Sequence, residues 1–585
     1  MKKITLLMVL IVGMQIHTFS QTPHSDTLSI NNIKALVRAA GMQFWENDTN
    51  FSPVGNSNFP IYQYPNGSGK TTIFNSCLWL GGIDNNNQLH LAAERFCQNG
   101  TDFWGGPLTT EGMASTTPSI AVNWDKVWKI NKQDLVNYLN SAAYPLNPPA
   151  FVLNWPAHGD TVLHQCYQLA PFVDLNNNGK YEPYLGDYPK IYGDQCIFFI
   201  INDQKTHNET AGIPIGAEIH VFAYAFNNPS DSALYNAVFY KYKIINRSNN
   251  SFNNFYLGHF SDIDIGYAHD DYVACDVERS TYYGYNGRSF DGWGSGCFYC
   301  YDSLPPAQGV SILGGPTMDA NGMDNPSGGC DFSVNGINFG DNIIDNERIG
   351  MSRFIYYNNS TSSHNGEPEN ANSIFNYMKG LWKDGTPLSW DSTGYNSLSS
   401  TTARFMFPGL SDTLNWGTGC GVRPTPNDWS EVDLHNAPDD RRGLASMGPF
   451  TFNAGATQYV DIVYTTATAY NFKSSSVDIM KQRIDHIRDL FKNSPDVFQA
   501  YVGVTEKNEL KFNIYPNPAS DYLVVEGVGF KKLSFTIYNI VGQSVIVGNL
   551  DNNSSKVNIT SLNAGIYFIK INTESRAKTI KFIKR

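Results

Sequence analysis

The chain has 585 residues, 14% of them aromatic and only 16% charged, and a formal net charge of −12. Fifty glycines beside so few charges argue for β-sandwich or propeller-like construction and against a helical bundle, while the acidic balance argues against nucleic acid as a partner. No convincing internal repeat is present, which weighs against the propeller.

At the N-terminus, MKKITLLMVLIVGMQIHTFSQ joins Lys2 and Lys3 to an apolar run from Ile4 to Ile16, with small Thr18 and Ser20 around Phe19. This is the pattern of a secretory signal peptide over residues 1–20, leaving Gln21 first after cleavage. No later window offers the roughly 18 uninterrupted apolar residues of a spanning helix, so no transmembrane span is expected. The core, residues 21–505, follows as a mainly β region with a few short helices and two or more subdomains in prospect. NNIKALVRAAG places Ile33, Leu36, Val37 and Ala40 on one helical face with Gly41 as a stop.

The stretch YPNGSGKTT, residues 64–72, contains Gly69, Lys70 and Thr71, the second half of a phosphate loop. The first glycine of that motif, which lets the backbone curl around the phosphates, is replaced by Tyr64. The following TTIFNSCLWLGGID suits a strand rather than a helix, so the segment is read as a turn without nucleotide. NKQDLVNYLN is a second short helix. In VDLNNNGKYEPYLGDYP, Asp174, Asn176 and Asn178 occupy the first, third and fifth positions of a calcium loop. Gly179 allows the sharp turn, Lys180 lends its carbonyl, and Glu182 with Asp187 completes the oxygen shell. Two readings stand for this segment: a weak calcium site of the extracellular kind, or an Asn-Gly hairpin whose side chains cap their own backbone.

Strands then dominate: QCIFFII, AEIHVFAYAF, NAVFYKYKII, NFYLGHF and QYVDIVYTTA are rich in β-branched and aromatic residues. Between them, SDIDIGYAHDDYVACD brings Asp262, Asp264, Asp270, Asp271 and Asp276 close together, with His259 and His269 nearby. GDNIIDNE offers Asp341, Asp345 and Glu347, similar to a degenerate thrombospondin calcium repeat. Each acidic run is a further candidate cation site, set against the plainer reading of a solvated turn. Nine cysteines in an exported chain predict some disulfides and at least one unpaired thiol. The pair in C-F-Y-C, Cys297 and Cys300, lacks a thioredoxin-like setting, and a zinc site of Cys275, Cys297, Cys300 and Cys330 lacks a second close pair. The SSVDIMKQRIDHIRDLFKNSP segment closes the core as a helix, with Ser475 and Asp478 as a capping box and an apolar stripe of Val477, Met480, Ile484, Ile487 and Phe491.

After a linker at 506–510, residues 511–585 change composition. Ten basic against four acidic residues give +6, leaving −18 for residues 1–510 and −20 once Lys2 and Lys3 depart with the signal. Seven short strands, FNIYP, YLVVE, LSFTIYN, QSVIVG, KVNIT, GIYFIKI and KTIKFIKR, predict a small β-sandwich. FNIYPNPASDYLVVE, IYNIVGQSV, and LNAGIYFIKI with the terminal KFIKR closely resemble the type A C-terminal sorting domain of the type IX secretion system. The resemblance implies an immunoglobulin-like sandwich, read by an outer-membrane translocon and commonly removed by a sortase-like peptidase. The product would be anchored to surface lipopolysaccharide or released. It covers about one residue in eight and leaves the cargo unassigned.

For that cargo the core holds neither H-E-x-x-H nor G-x-S-x-G, and Cys297 with His220, His259 or His269 makes a dyad only if the fold brings them together. Two functions follow. The first is a non-catalytic, calcium-stabilised adhesion or polymer-binding module, whose 11 Trp and 33 Tyr supply stacking surfaces for an extracellular glycan or protein ligand. The alternative is a secreted hydrolase of polysaccharide or protein, with a site assembled from distant loops.

Overall fold

The computed structural model describes residues 24–45, 60–95, 100–111, 114–297, 299–397, 399–470, 475–501, 512–527, 532–551, 554–572 and 577–585. The expected signal peptide, residues 1–20, and the expected linker, residues 506–510, lie outside them. The chain divides into two compact units between Val502 and Gly503.

The first unit is built on two antiparallel sheets. In the nine-stranded sheet the strands run in the order Asp271–Asp276, Thr281–Asn286, Ala307–Gly314, Thr457–Ala467, Ala237–Asn246, Ala217–Ala225, Gln195–Asn202 and Trp104–Gly105, with Trp128–Asn131 also pairing Gln195–Asn202. The five-stranded sheet runs Arg353–Asn358, Arg441–Phe452, Phe252–Asp262, Asn75–Asp84 and Leu89–Ala92. One apolar cluster joins the facing surfaces, with Val221, Tyr240, Ile462 and Tyr464 from the larger sheet meeting Leu78, Leu257 and Phe354 from the smaller. The Tyr464 hydroxyl crosses the gap to Ser76 Oγ at 3.0 Å and His259 Nε2 at 2.9 Å.

The larger sheet is covered on its other face as well. Phe198, Ile200, Phe222, Tyr224 and Phe239 pack there with Trp128, Trp155 and Phe172 from the preceding segments and with Ile487 of the helix Ser476–Asn493. Burial on both faces explains why QCIFFIIN reads as a continuous apolar run without alternation. The helix itself starts at the expected capping box, Ser475 accepting from Asp478 N and Asp478 from Ser475 N, and buries Met480, Ile484 and Ile487. Gly309 lies beneath it, where a Cβ would stand 2.9 Å from Met480 Sδ.

NNIKALVRAAG is corrected from helix to strand. Lys34–Arg38 pairs with Ser25–Leu28 on one side and Tyr62–Gln63 on the other. Over so few residues the apolar spacing fits both periods, and two pairing partners with Ala35, Leu36 and Val37 all fully buried decide for the strand. YPNGSGK closes as a turn, with Ser68 N donating to Pro65 O and Tyr64 N to Lys70 O, both at 3.0 Å. The strand Asn75–Asp84 follows it.

The second unit contains all seven expected strands, as Phe512–Tyr515, Tyr522–Gly527 and Ser554–Asn558 in one sheet and Ser544–Asp551, Lys532–Asn539, Gly565–Asn572 and Ala577–Lys584 in the other. Tyr567, Ile569 and Ile571 share the buried face while Lys570 is exposed, the alternation of a half-buried strand. The chain is mainly β throughout, with short helices.

Candidate functional site

The Asp174 segment is a hairpin. Phe172–Val173 pairs with Tyr188–Pro189, and the loop between them folds on its own side chains. Asp174 accepts from Asn178 N and Gly179 N, Asn176 Oδ1 from Asn178 N, and Asn178 Oδ1 from Lys180 N. Glu182 accepts from the Asn178 and Asn176 amides, which hold its carboxyl below the usual range. Asp187 is buried beneath the loop and accepts from Leu175 N at 3.0 Å and Glu182 N at 2.8 Å. Each side chain named for calcium thus accepts hydrogen bonds from the loop itself, the arrangement of the hairpin reading.

The second acidic run is split by the fold. Asp270 accepts from Gly292 N and Asp271 from Ile265 N, and burial raises both carboxyls. Asp276 is answered by Arg279 at 2.9 Å and Lys481 at 3.2 Å. Asp262 and Asp264 instead join Asp440, distant in sequence, with one carboxylate oxygen from each lying within 4.8 Å of the others. Strand register builds this meeting. Asn75, Asp262, Arg442 and Tyr357 are direct partners on four neighbouring strands, so their side chains form one row on one sheet face. Arg442 pairs with Asp262 at 3.3 Å, with Glu367 at 3.2 Å and with Asp440. Burial pushes Asp262 well above the usual carboxylate range against the pull of Arg442. It also raises Asp264 to about 7, with Asp440 adding repulsion, and Glu367 to about 7.

The third run forms turns: Asp341, exposed, accepts from Ile343 N and Asn346 Nδ2, Asp345 from Asn321 N and Gly322 N, and Glu347, buried, from Asn325 N. Cysteines form disulfides, as expected, and not the zinc site set aside for want of a second close pair. Cys297 is bonded to Cys300 and Cys330 to Cys420, while Cys275 is a buried thiol hydrogen-bonded to Met406 O. The disulfide also removes Cys297 as a nucleophile. His220 is held by Glu218 at 2.8 Å, His259 by Tyr282 and Tyr464, and His269 by Asp439 at 3.0 Å.

A feature that sequence reading missed is a cavity of about 220 Å³ on the outer face of the nine-stranded sheet. Its floor is His220, Phe222, Lys241 and Lys243, and its walls include Pro171 and Tyr192, which flank the Asp174 hairpin, and Tyr459, 44% exposed. Lys241 is tied to Asp461 at 2.7 Å, whereas Lys243 has no ion pair among the described residues. The only sequence signal was the pair of lysines in FYKYKII, alternating out of an otherwise apolar strand. A wider, open groove of about 800 Å³ lies beside Trp104, but the Lys205 amine, 5.0 Å from the ring centroid, covers that ring. Most tryptophans are structural: Trp79, Trp382, Trp390 and Trp429 are fully buried.

The C-terminal unit is thus a seven-stranded, basic β-domain with a core of its own, distinct from the acidic unit that precedes it in the chain. Residues 513–585 match the secretion system C-terminal sorting domain and form that domain, which routes the chain through the type IX system to the cell surface or extracellular space. No helix among the described residues is long and apolar enough to cross a membrane. No curated protein matches the chain. A solved polysaccharide lyase is similar at 7% identity and a TM-score of 0.18, covering 63% of this chain and 34% of its own. The chain therefore spans about a third of that protein, and likeness at this level carries no argument about the core.

Proposed function

We propose that the core is a non-catalytic binding module for an extracellular polymer bearing hydroxyl and carboxylate groups. It enters export through the signal peptide at residues 1–20 and is stabilised by calcium in the Asp174 loop. The observation that carries this reading is the cavity over Lys241 and Lys243. In a core of strongly negative charge it presents two lysine amines, the His220 ring and two tyrosines, a set suited to stacking on a sugar ring and pairing with its acidic group. Lys241 and His220 are fixed by Asp461 and Glu218, so their positions are set before a ligand arrives. Lys243 is left to meet the ligand's charge. Because Pro171 and Tyr192 flank the hairpin that holds Asp174, calcium in the loop would stiffen one cavity wall.

The test is a panel of neutral and uronate-bearing glycans applied to the purified protein in calcium, with binding and product release both read. Uronate glycans should bind without turnover. Lys243→Ala should weaken binding by about tenfold or more, the scale of a lost charge-assisted hydrogen bond. Equal affinity in wild type and Lys243→Ala, or release of shortened glycan, would refute the reading.

A further inference from the structure

We infer that Asp262, Asp264 and Asp440 form a buried calcium centre, with Glu367 and Asn75 beside it, which ties the five-stranded sheet to the segment preceding Arg441. This goes beyond the Asp174 loop and the cavity, neither of which contributes a residue to it.

Charge is the first argument. The carboxyl groups of Asp262, Asp440 and Glu367 all pair with one guanidinium, that of Arg442, and Asp264 lies against the first two; ionised together, the four would exceed that guanidinium by three negative charges, with Arg95 and Lys383 acting only on Glu367 and from further off. Asp262 is fully buried and Asp440 is 8% exposed, so water does little to relieve the repulsion.

Hydrogen bonding is the second argument, and Asn75, which carries no charge, brings to it an observation that the first does not contain. Among the described residues, both carboxylate oxygens of Asp262, Oδ1 of Asp264 and Oε1 of Glu367 are buried without a hydrogen bond, and of these only Asp262 Oδ2 and Glu367 Oε1 have an ion-pair contact, to Arg442. Both polar atoms of the Asn75 amide are likewise buried without a hydrogen bond, on a fully buried residue that register sets directly opposite Asp262 on the same sheet face. Buried polar atoms are nearly always satisfied, so such a concentration of orphaned oxygens around one point indicates a missing partner that accepts lone pairs. A proton or an N–H donor would serve one or two of these oxygens, whereas a cation serves the oxygens together; the Asn75 Nδ2 group is a donor and is not among its ligands.

The donor set identifies the cation. Every candidate ligand is a carboxylate or amide oxygen, the choice of hard ions and not of zinc or copper. Oxygens bound to one calcium at 2.3–2.6 Å stand at most about 4.6–5.2 Å apart, and the three aspartate oxygens lie within 4.8 Å of one another. The irregular mix of two strand ends and a loop suits calcium, which tolerates variable geometry, better than the strict octahedron of magnesium. Asp264 is the partly exposed member and marks the route by which the ion enters.

The test uses the whole exported chain, after equilibration with calcium and gel filtration, with elemental analysis and thermal melts. Wild type should retain calcium, and Asp174→Ala should still carry the equivalent bound at the buried centre. Asp264→Asn should lose one equivalent per chain and melt lower than wild type in calcium. In excess chelator the order should change, with Asp264→Asn melting at or above wild type because it removes one of the repelling charges. A merely structural Asp264 would lower the melting temperature equally in calcium and in chelator. That result would overturn the centre, as would unchanged calcium content in Asp264→Asn or wild type that retains no calcium.

Discussion

His259 lies between two tyrosine hydroxyls, with Nδ1 2.8 Å from Tyr282 and Nε2 2.9 Å from Tyr464. A neutral imidazole satisfies both contacts, donating through one nitrogen and accepting through the other, and burial holds its pKa down at about 3. The unfolded chain takes up a proton near pH 6.5 that the folded chain refuses, so this histidine's contribution is complete above that pH and is lost as pH falls toward 3. By pH 5 the loss is about 2 kcal/mol. Denaturant titrations at pH 7 and pH 5 should show His259→Gln losing about 2 kcal/mol less than wild type over this interval. Equal losses would place the acid sensitivity elsewhere. The same residue illustrates what a linear reading leaves open: His259 was one of three histidines that the fold could have brought to Cys297, whereas its neighbours in space are Tyr282, Tyr464 and, through them, Ser76 and Ser261.

Elements with strong local patterns were legible in the sequence. The Ser475–Asp478 capping box and the stripe through Ile484 and Ile487 set the last core helix, and the β-branched runs set the five long strands. Lys34–Arg38 was misread because five residues do not separate the two periods. Asp440 and the Lys241–Lys243 cavity were invisible for a different reason: their meaning depends on which strands become neighbours, and nothing local encodes that. Long-range ties among the loops were equally hidden. The Cys330–Cys420 disulfide spans 90 residues of largely irregular chain and joins two residues that are not deeply buried. Its effect should therefore be mainly to restrict the unfolded state. Replacing both cysteines by serine should lower unfolding free energy by about 3–5 kcal/mol, read as a fall in denaturant midpoint that added reductant reproduces in wild type. A midpoint insensitive to reductant would show that the bond contributes little.

At the scale of the whole molecule, the sorting unit and the core have separate cores of their own, which explains how one composition can be basic and the other acidic without conflict. Deleting residues 503–585 should leave the melting profile of the core unchanged and strand it on the periplasmic side of the outer membrane, as followed by cell fractionation. Surface display of the truncated chain at normal levels would contradict the sorting role. Within the core, both sheets are completed by strands that arrive late. Phe252–Asp262 waits for Arg441–Phe452, and Ala237–Asn246 for Thr457–Ala467, each about 200 residues further on. A chain emerging N-terminus first must therefore carry open strand edges through most of its length, and its final architecture cannot set until residue 467 is free. Asp262 and Asp440 meet at that same step, so an ion that draws them together acts as a latch on the last move of assembly. The place where that latch engages would be decided by the medium the chain reaches.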